Sequence, residues 1–137
     1  MSFIAKLKMD KDEMNVLHCS YRFTKITQAT GKPSTVAQGG TIHLLLESDG
    51  STLLFDWMIS RTETKNGRIT FFSRDTIMSK LKTLEFTDAY CVDYFETFDH
   101  QGSNPMQVQL TISAHKIKLN DSDASTYTNN WPGQFHS

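Results

Sequence analysis

The chain departs from strand-like alternation at one stretch, Ser51-Thr-Leu-Leu-Phe-Asp-Trp-Met-Ile-Ser60. On a helix, with about 100° between successive residues, its six apolar side chains span an arc of roughly 240°. A helix on the surface of a monomeric domain usually buries a stripe only a little wider than about 100°. The stretch therefore predicts a helix that lies in a groove, or one that contacts its own domain on one side and another molecule on the other.

A strand is the competing interpretation of this stretch, because alternate residues are apolar: Leu53, Phe55, Trp57 and Ile59. Leu54 and Met58 would then lie on the polar face of the strand, and this favours the helix. Asp49-Gly50-Ser51 supplies candidates for the N-cap.

Most of the remaining sequence alternates apolar and polar residues, as half-buried strands do. The predicted strands cover residues 3–9, 17–23, 41–47, 68–74, 82–87, 90–98 and 106–114. Asn66-Gly67 predicts a turn, Asp88-Ala89 predicts the connection of a strand pair, and residues 75–80 fit a turn or a helical turn. The alternation slips in phase near residues 114–116, which indicates a bulge or a bend. Seven or eight strands with one helix predict a mainly β fold, either a small closed barrel or a sandwich.

Two segments lack periodicity. Residues 27–40 form a loop of about 14 residues, a length that is usually either functional or flexible in a compact domain. Residues 121–137 form a polar C-terminal tail in which Trp131 and Phe135 are the candidate anchors. We therefore expect one barrel domain over residues 1–120, followed by this tail.

The composition and the N-terminal pattern give no support for nucleic-acid binding, for membrane association or for a signal peptide. The chain has 137 residues, a net charge of −1 and a pI near 6.5, which give no reason to expect nucleic acid or an anionic membrane as a partner. No apolar run approaches the ~20 residues of a membrane span. The N-terminus alternates like a strand and has no signal-peptide pattern. We expect folding in the cytoplasm and, if the protein leaves the cell, export without a cleaved signal peptide.

No catalytic, cofactor-binding or metal-binding motif is present in the sequence. The five histidines have no metal-ligand spacing, and Cys19 and Cys91 are expected to be free, buried thiols. Binding or assembly remains as the function. Assembly is favoured by the helix, by the long loop and by strand faces rich in small neutral residues, as expected of a wall that stays in contact with water. These wall residues are Ser20, Thr24, Thr41, Gln107, Gln109, Thr111 and Ser113. The alternative is a monomeric β-barrel that binds a small apolar ligand, although large side chains fill the faces that would line its cavity.

Several segments, taken in their order and spacing, resemble the tube protein of the type VI secretion system, the Hcp (TssD) family in its Bacteroidota form. They are residues 1–7 (MSFIAKL), 15–21 (NVLHCSY), 38–42 (QGGTI), 57–60 (WMIS), 82–91 (KTLEFTDAYC), 102–106 (GSNPM) and 110–114 (LTISA), with 129–132 (NNWP) in the tail. The resemblance covers residues 1 to about 119.

The resemblance implies a β-barrel of two antiparallel sheets with one helix at its side, related to phage tail tubes. It further implies hexameric rings that stack into a tube, a contractile sheath that expels it, spike and baseplate partners, and effectors carried in the lumen. The loop would contact an adjacent subunit or ring through Thr30, Gly31, Lys32, Pro33 and Ser34. In the helix, Leu54 and Met58 would dock on the barrel. Either Leu53 with Trp57 or Phe55 with Ile59 would then meet the neighbouring subunit.

Overall fold

The computed structural model describes residues 3–33, 37–74, 79–99 and 106–131. Within these ranges the chain forms seven strands, one α-helix and one short 3-10 turn. The elements are β1 (Phe3–Met9), β2 (Asp12–Tyr21), β3 (Thr41–Glu47), α1 (Leu53–Ile59), β4 (Lys65–Ser73), β5 (Lys80–Thr97), β6 (Gln107–Leu119), the 3-10 turn (Asp123–Ser125) and β7 (Thr126–Thr128).

Six of these strands close into a barrel. Every pairing is antiparallel, in the order β3-β2-β1-β4-β5-β6, and β6 pairs back onto β3 to close the ring of strands. The seventh strand, β7, lies outside the barrel on the edge of β6. The predicted mainly β fold, a small barrel with one helix at its side, is confirmed.

Alternating side chains from all six barrel strands fill the interior. Burial of each large aliphatic or aromatic side chain there contributes about 1.5–3 kcal/mol to stability. The largest side chains that are almost wholly buried include Leu7, Met9, Ile42, Leu46, Ile69, Leu84, Phe86, Leu110, Ile112 and Ile117, together with Trp57 from the helix.

The strand pair predicted over residues 82–87 and 90–98 is wrong, because β5 runs without a break for 18 residues. Asp88 has a φ of +51°, and its N–H donates to Asn66 Oδ1 at 2.8 Å. A two-residue hairpin of type I′ requires positive φ at two successive residues, whereas Ala89 keeps a negative φ. Asp88 therefore bends β5 locally, and the register with β4 shifts at this point.

The turn predicted at Asn66-Gly67 is also wrong, since both residues belong to β4. Gly67 pairs with Phe86 of β5 across a register shift. A Cβ at Gly67 would overlap the Phe86 ring and lie 2.8 Å from Met9 Cγ. Glycine is required here because two core side chains pass close to its backbone, and no turn is involved.

Side-chain direction departs from simple alternation in β2 and in β6. Leu17 alternates in phase with Cys19 and Tyr21, which pack against the core, but it is 46% exposed because the pairing of β2 with β3 shifts between Val16 and His18. The phase slip predicted in β6 is present. Ala114 and Ile117, three residues apart, are both buried.

Candidate functional site

Helix α1 begins after Thr52, one residue beyond the predicted N-cap candidates. Ser51 Oγ accepts the Leu53 N–H at 3.0 Å, and the Thr52 hydroxyl donates to Asp56 Oδ2 at 3.2 Å. The hydroxyls before the helix thus stabilise its first turn, although the N-cap side chain itself makes no capping bond to the backbone.

The barrel contacts of α1 are centred on Leu54 and Trp57. Leu54 is 8% exposed and Trp57 is 1% exposed, both within the hydrophobic core. Met58, expected to dock beside Leu54, is half-buried, and its Sδ lies 3.8 Å from Cys91 Sγ. Leu53 is half-buried and also packs against the core.

Trp57 was predicted as a candidate residue of the subunit interface, but it is buried in the core. Its side chain is enclosed by its own protomer, so it has no surface to offer to a neighbouring subunit. The burial has a physical reason. Trp57 carries the largest apolar surface in the helix, and the barrel gains most by covering it.

The exposed flank of the helix is therefore formed by Phe55 and Ile59, which are 47% and 63% exposed. The Phe55 ring meets the Tyr94 ring edge to face, with centroids 5.7 Å apart. Burial and a hydrogen bond from its hydroxyl to Glu96 Oε1 raise the pKa of Tyr94. The exposed flank thus continues from α1 onto the last third of β5.

Half of the barrel carries a polar outer face that ends in two free edges. We call this half the wall sheet. It consists of residues 18–21 of β2, the whole of β3, residues 107–113 of β6 and residues 93–97 of β5, and its strand order is β2-β3-β6-β5. Among the described residues, His18–Tyr21 of β2 pairs only with β3, and Asp93–Thr97 of β5 pairs only with β6. Each edge therefore presents backbone groups that another strand could pair with.

The outer face of the wall sheet consists mainly of small or neutral polar side chains, with Leu45 and Phe95 as apolar exceptions beside Gln109. Across the strands, Ser20 is opposite His43, and His43 is opposite Thr111. His43 Nδ1 lies 3.1 Å from Thr111 Oγ1. Of the predicted wall residues, Ser20, Thr24, Thr41 and Gln109 are exposed, whereas Gln107, Thr111 and Ser113 are half-buried. His43, beside them on β3, is also exposed.

The long loop is a narrow ribbon in the part that the structure describes. We call residues 24–33 and 37–38 the loop ribbon. Bridges join Thr24 to Gln38 and Thr27 to Pro33, and the Gln28 N–H donates to the Lys32 carbonyl at 2.8 Å. The described part of the long loop is therefore held by hydrogen bonds between its two legs.

The tip of the loop ribbon carries four of the five predicted stacking residues. Thr30, Gly31, Lys32 and Pro33 are all exposed, whereas Ser34 lies outside the described residues. Gly31 has a φ of +91°, a conformation that favours glycine, and its N–H donates to the Gln28 carbonyl at 2.8 Å.

The C-terminal segment (residues 126–131) is attached to the barrel through β7 and Trp131. β7 adds to the edge of β6 next to Lys116–Lys118. The Trp131 ring lies 5.6 Å from the Tyr90 ring and 5.4 Å from the His115 ring. The predicted anchor Phe135 lies outside the described residues. Sequence reasoning missed β7, for which the alternation Thr126-Tyr-Thr128 was the available signal.

Burial sets the state of the two cysteine thiols. Both cysteines are free, and burial raises the pKa of Cys19 and of Cys91 to about 11, so each thiol stays protonated at neutral pH. No three His, Cys, Asp or Glu side chains in the described part of the chain lie close enough to hold a metal ion. Nor does any helix there have the length and apolar character to cross a membrane.

The interior leaves little space for a small ligand. A cavity beside α1, lined in part by Met14, Leu54 and Val108, has a volume of about 20 Å³. This is room for about one water molecule. Larger and more open hollows lie on the outer surface, two of them over Ser20 and His43 of the wall sheet.

Comparison with known proteins identifies the family of this chain. A family model described as hemolysin coregulated protein Hcp (TssD) matches residues 1–132. The chain belongs to the Hcp (TssD) family. This Hcp chain is similar to Hcp1 from Flavobacterium johnsoniae, with 40% identity, 92% of this chain and 99% of that chain covered, and a TM-score of 0.82.

Two more distant structures share the fold of this Hcp chain. Hcp1 from Salmonella typhimurium is 16% identical, with 87% and 86% of the two chains covered and a TM-score of 0.68. A chain in the baseplate of the anti-feeding prophage is 12% identical, with 85% and 91% covered and a TM-score of 0.51. A comparison with curated proteins gave no match.

The family assignment confirms the resemblance derived from the sequence. This Hcp chain is a tube protein of the type VI secretion system, and proteins of its family are secreted by that system. The family is one of structural tube proteins and is not known as a family of enzymes.

Proposed function

We propose that six copies of this chain form a closed ring and that the rings stack into the inner tube of a type VI secretion system. A contractile sheath expels the tube, with spike and baseplate proteins as further partners and effector proteins as cargo in the lumen. The tube assembles in the cytoplasm and leaves the cell without a cleaved signal peptide. It needs no cofactor and no nucleic acid, and it does not insert into a membrane.

The wall sheet is the observation that carries this proposal. Its two free edges lie at opposite ends of one four-stranded sheet, so the β2 edge of one copy can meet the β5 edge of the next. Such a contact is heterologous, and repeating it closes a ring if the rotation between copies is right. The polar outer face then turns towards the lumen. Residues such as His43 and Gln109 contact water and cargo there, and the lumen wall presents no large apolar surface.

The exposed flank of α1 supports the same arrangement. Phe55 and Ile59 lie beside the free part of β5, as the ring contact of Phe55 with Tyr94 indicates. Covering each of these side chains with a neighbouring copy contributes about 1.5–3 kcal/mol. We therefore assign the subunit interface to Phe55 and Ile59, with half-buried Leu53 and Met58 at its border.

Solution mass tests the proposed ring. Size-exclusion chromatography with light scattering is expected to give a particle of six times the 15.6 kDa chain mass, and negative-stain images should show rings with a central hole. A monodisperse monomer at high protein concentration, with no rings in the images, would contradict the proposal. It would favour the monomeric ligand-binding barrel, which the filled interior argues against.

The tip of the loop ribbon is expected to control stacking and not folding. Replacement of Gly31, Lys32 and Pro33 by serine changes the contacts to the next ring, while all three residues are exposed on their own barrel. A loss of about 1 kcal/mol at each of six copies would weaken the affinity between rings roughly ten-thousandfold. We expect short or single rings in negative-stain images and a melting temperature that falls by no more than a few degrees, because a serine at the positive φ of Gly31 is locally strained.

Lys11→Ser provides the control for this triple variant. Lys11 is exposed in the turn between β1 and β2, away from the loop ribbon. Its replacement should leave the tubes intact. A large drop in melting temperature for the triple variant would instead place the loop tip within the folded core.

A further inference from the structure

The base of the loop ribbon is held by side chains from the C-terminal segment. The two legs of the ribbon join at Thr24 and Gln38, whose backbones exchange hydrogen bonds of 2.9 and 2.7 Å. The next residue, Gly39, donates its N–H to the Tyr127 hydroxyl at 3.1 Å and accepts from Asn129 Nδ2 at 3.2 Å. Both backbone polar groups of Gly39 are therefore bonded to the C-terminal segment.

Tyr127 also contacts the outgoing leg of the ribbon. Its ring meets the Phe23 ring at a centroid distance of 4.9 Å and an angle of 65°, and Phe23 directly precedes Thr24. The Phe23 ring in turn occupies the place that a Cβ of Gly39 would take. One tyrosine thus touches both legs at the point where they leave the barrel.

The C-terminal segment is itself hydrogen-bonded to β6 and can therefore act as a support. The Asn129 N–H donates to the His115 carbonyl at 2.6 Å, and β7 pairs with β6 just before it. The returning leg, in contrast, reaches β3 through Gly39-Gly40, where Gly40 has a φ of +101°. Two successive glycines have little intrinsic backbone preference, so hydrogen bonds must fix the angle of the ribbon. Gly40 accepts the Ala114 N–H at 2.7 Å, and the contacts of Tyr127 and Asn129 fix Gly39.

We propose that Tyr127 and Asn129 are positioning residues that set the direction in which the loop ribbon leaves the barrel and so prepare it to contact the next ring. The proposal rests on the proposed stacking of rings. A ribbon that is held in its contact geometry loses less conformational entropy when the rings meet. Removal of one hydrogen bond of ordinary net strength should shift the balance between held and released ribbon about fivefold.

Two variants of the full-length chain test this proposal. Tyr127→Phe removes only the hydroxyl that accepts the Gly39 N–H. Asn129→Ala removes the side-chain amide that donates to the Gly39 carbonyl. Asn130→Ala is the matched control, since Asn130 is the exposed neighbour of Asn129. Ring mass is measured by light scattering, stacking by the length of tubes in negative stain, and ribbon attachment by amide exchange at Thr24, Gln38 and Gly39.

We expect both variants to form rings, to exchange these three amides about fivefold faster and to give shorter tubes, whereas Asn130→Ala behaves as the wild type. Unchanged stacking in both variants, or shorter tubes with unchanged exchange, would overturn the positioning role. Loss of the rings themselves in both variants would also overturn it, because the segment would then support the subunit interface. Absence of rings in the wild-type protein would instead overturn the proposed function and, with it, this role.

Discussion

Replacement of Trp57 by alanine is expected to lower the free energy of unfolding by about 3–5 kcal/mol. The side chain is 1% exposed and lies in the core between α1 and the barrel, so its removal leaves a large apolar cavity. Denaturant unfolding measures the loss. Because assembly adds to apparent stability, the comparison should use an assembly-deficient background such as Ile59→Asp.

Phe55→Ala is the matched control for Trp57→Ala. Phe55 lies two residues earlier on the same helix and is 47% exposed, so in the same background its replacement should cost no more than about 1 kcal/mol. Trp57→Phe should cost less than Trp57→Ala, partly because the buried Trp57 Nε1 has no acceptor among the described residues. Equal losses for Trp57→Ala and Phe55→Ala would contradict the orientation of the helix.

Replacement of Ile59 by aspartate is expected to convert the ring into monomers. The change removes about 1.5–3 kcal/mol of apolar burial at each contact and would place a carboxylate in the interface, where its desolvation costs several kcal/mol more. A closed ring repeats this penalty at every subunit contact. Light scattering should therefore give the mass of a single chain, while the circular dichroism spectrum of the barrel is retained.

Leu81→Asp is the corresponding control for Ile59→Asp. Leu81 is 49% exposed, near the beginning of β5 and away from α1. An aspartate there should leave the ring intact. Rings that survive both Ile59→Asp and Phe55→Asp would place the subunit interface elsewhere on the barrel.

The sequence predicted the existence of the helix better than its orientation. The width of the apolar arc follows from the spacing of the six side chains alone, and it indicated the helix correctly. The direction of docking depends on which side chains the barrel can cover, and this is a long-range property. Leu54 and Met58 lie at the centre of the arc, but the centre of the observed contact moves towards Trp57, whose large ring fills more of the core.

Local turn signals failed where pairing between strands outweighed them. Asp88 adopts a positive φ, as a turn residue would, yet the residues on both sides of it pair with β6. The continuous ladder contributes more than a local hairpin could, so Asp88 bends the strand and does not end it. Asn66-Gly67 behaves in the same way, because its glycine accommodates the Phe86 ring.

The contacts at the base of the loop ribbon could not be predicted from the sequence. Gly39 and Tyr127 are 88 residues apart, and only the closure of the barrel brings them together. The predicted polar tail contains few apolar residues, so hydrophobic periodicity gave little indication that Tyr127 and Asn129 are held against the barrel. The polar strand faces, by contrast, were predictable because they follow directly from alternation.

The orientation of the wall sheet in the assembled ring is the most direct test of the central claim. A cryo-electron microscopy reconstruction of rings formed by the wild-type chain would measure it. We predict six copies, with His43 and Thr111 facing the central channel and the β2 edge of each copy next to the β5 edge of its neighbour. A reconstruction with His43 and Thr111 on the outside of the ring, or with Phe55 and Ile59 facing the channel, would contradict the account.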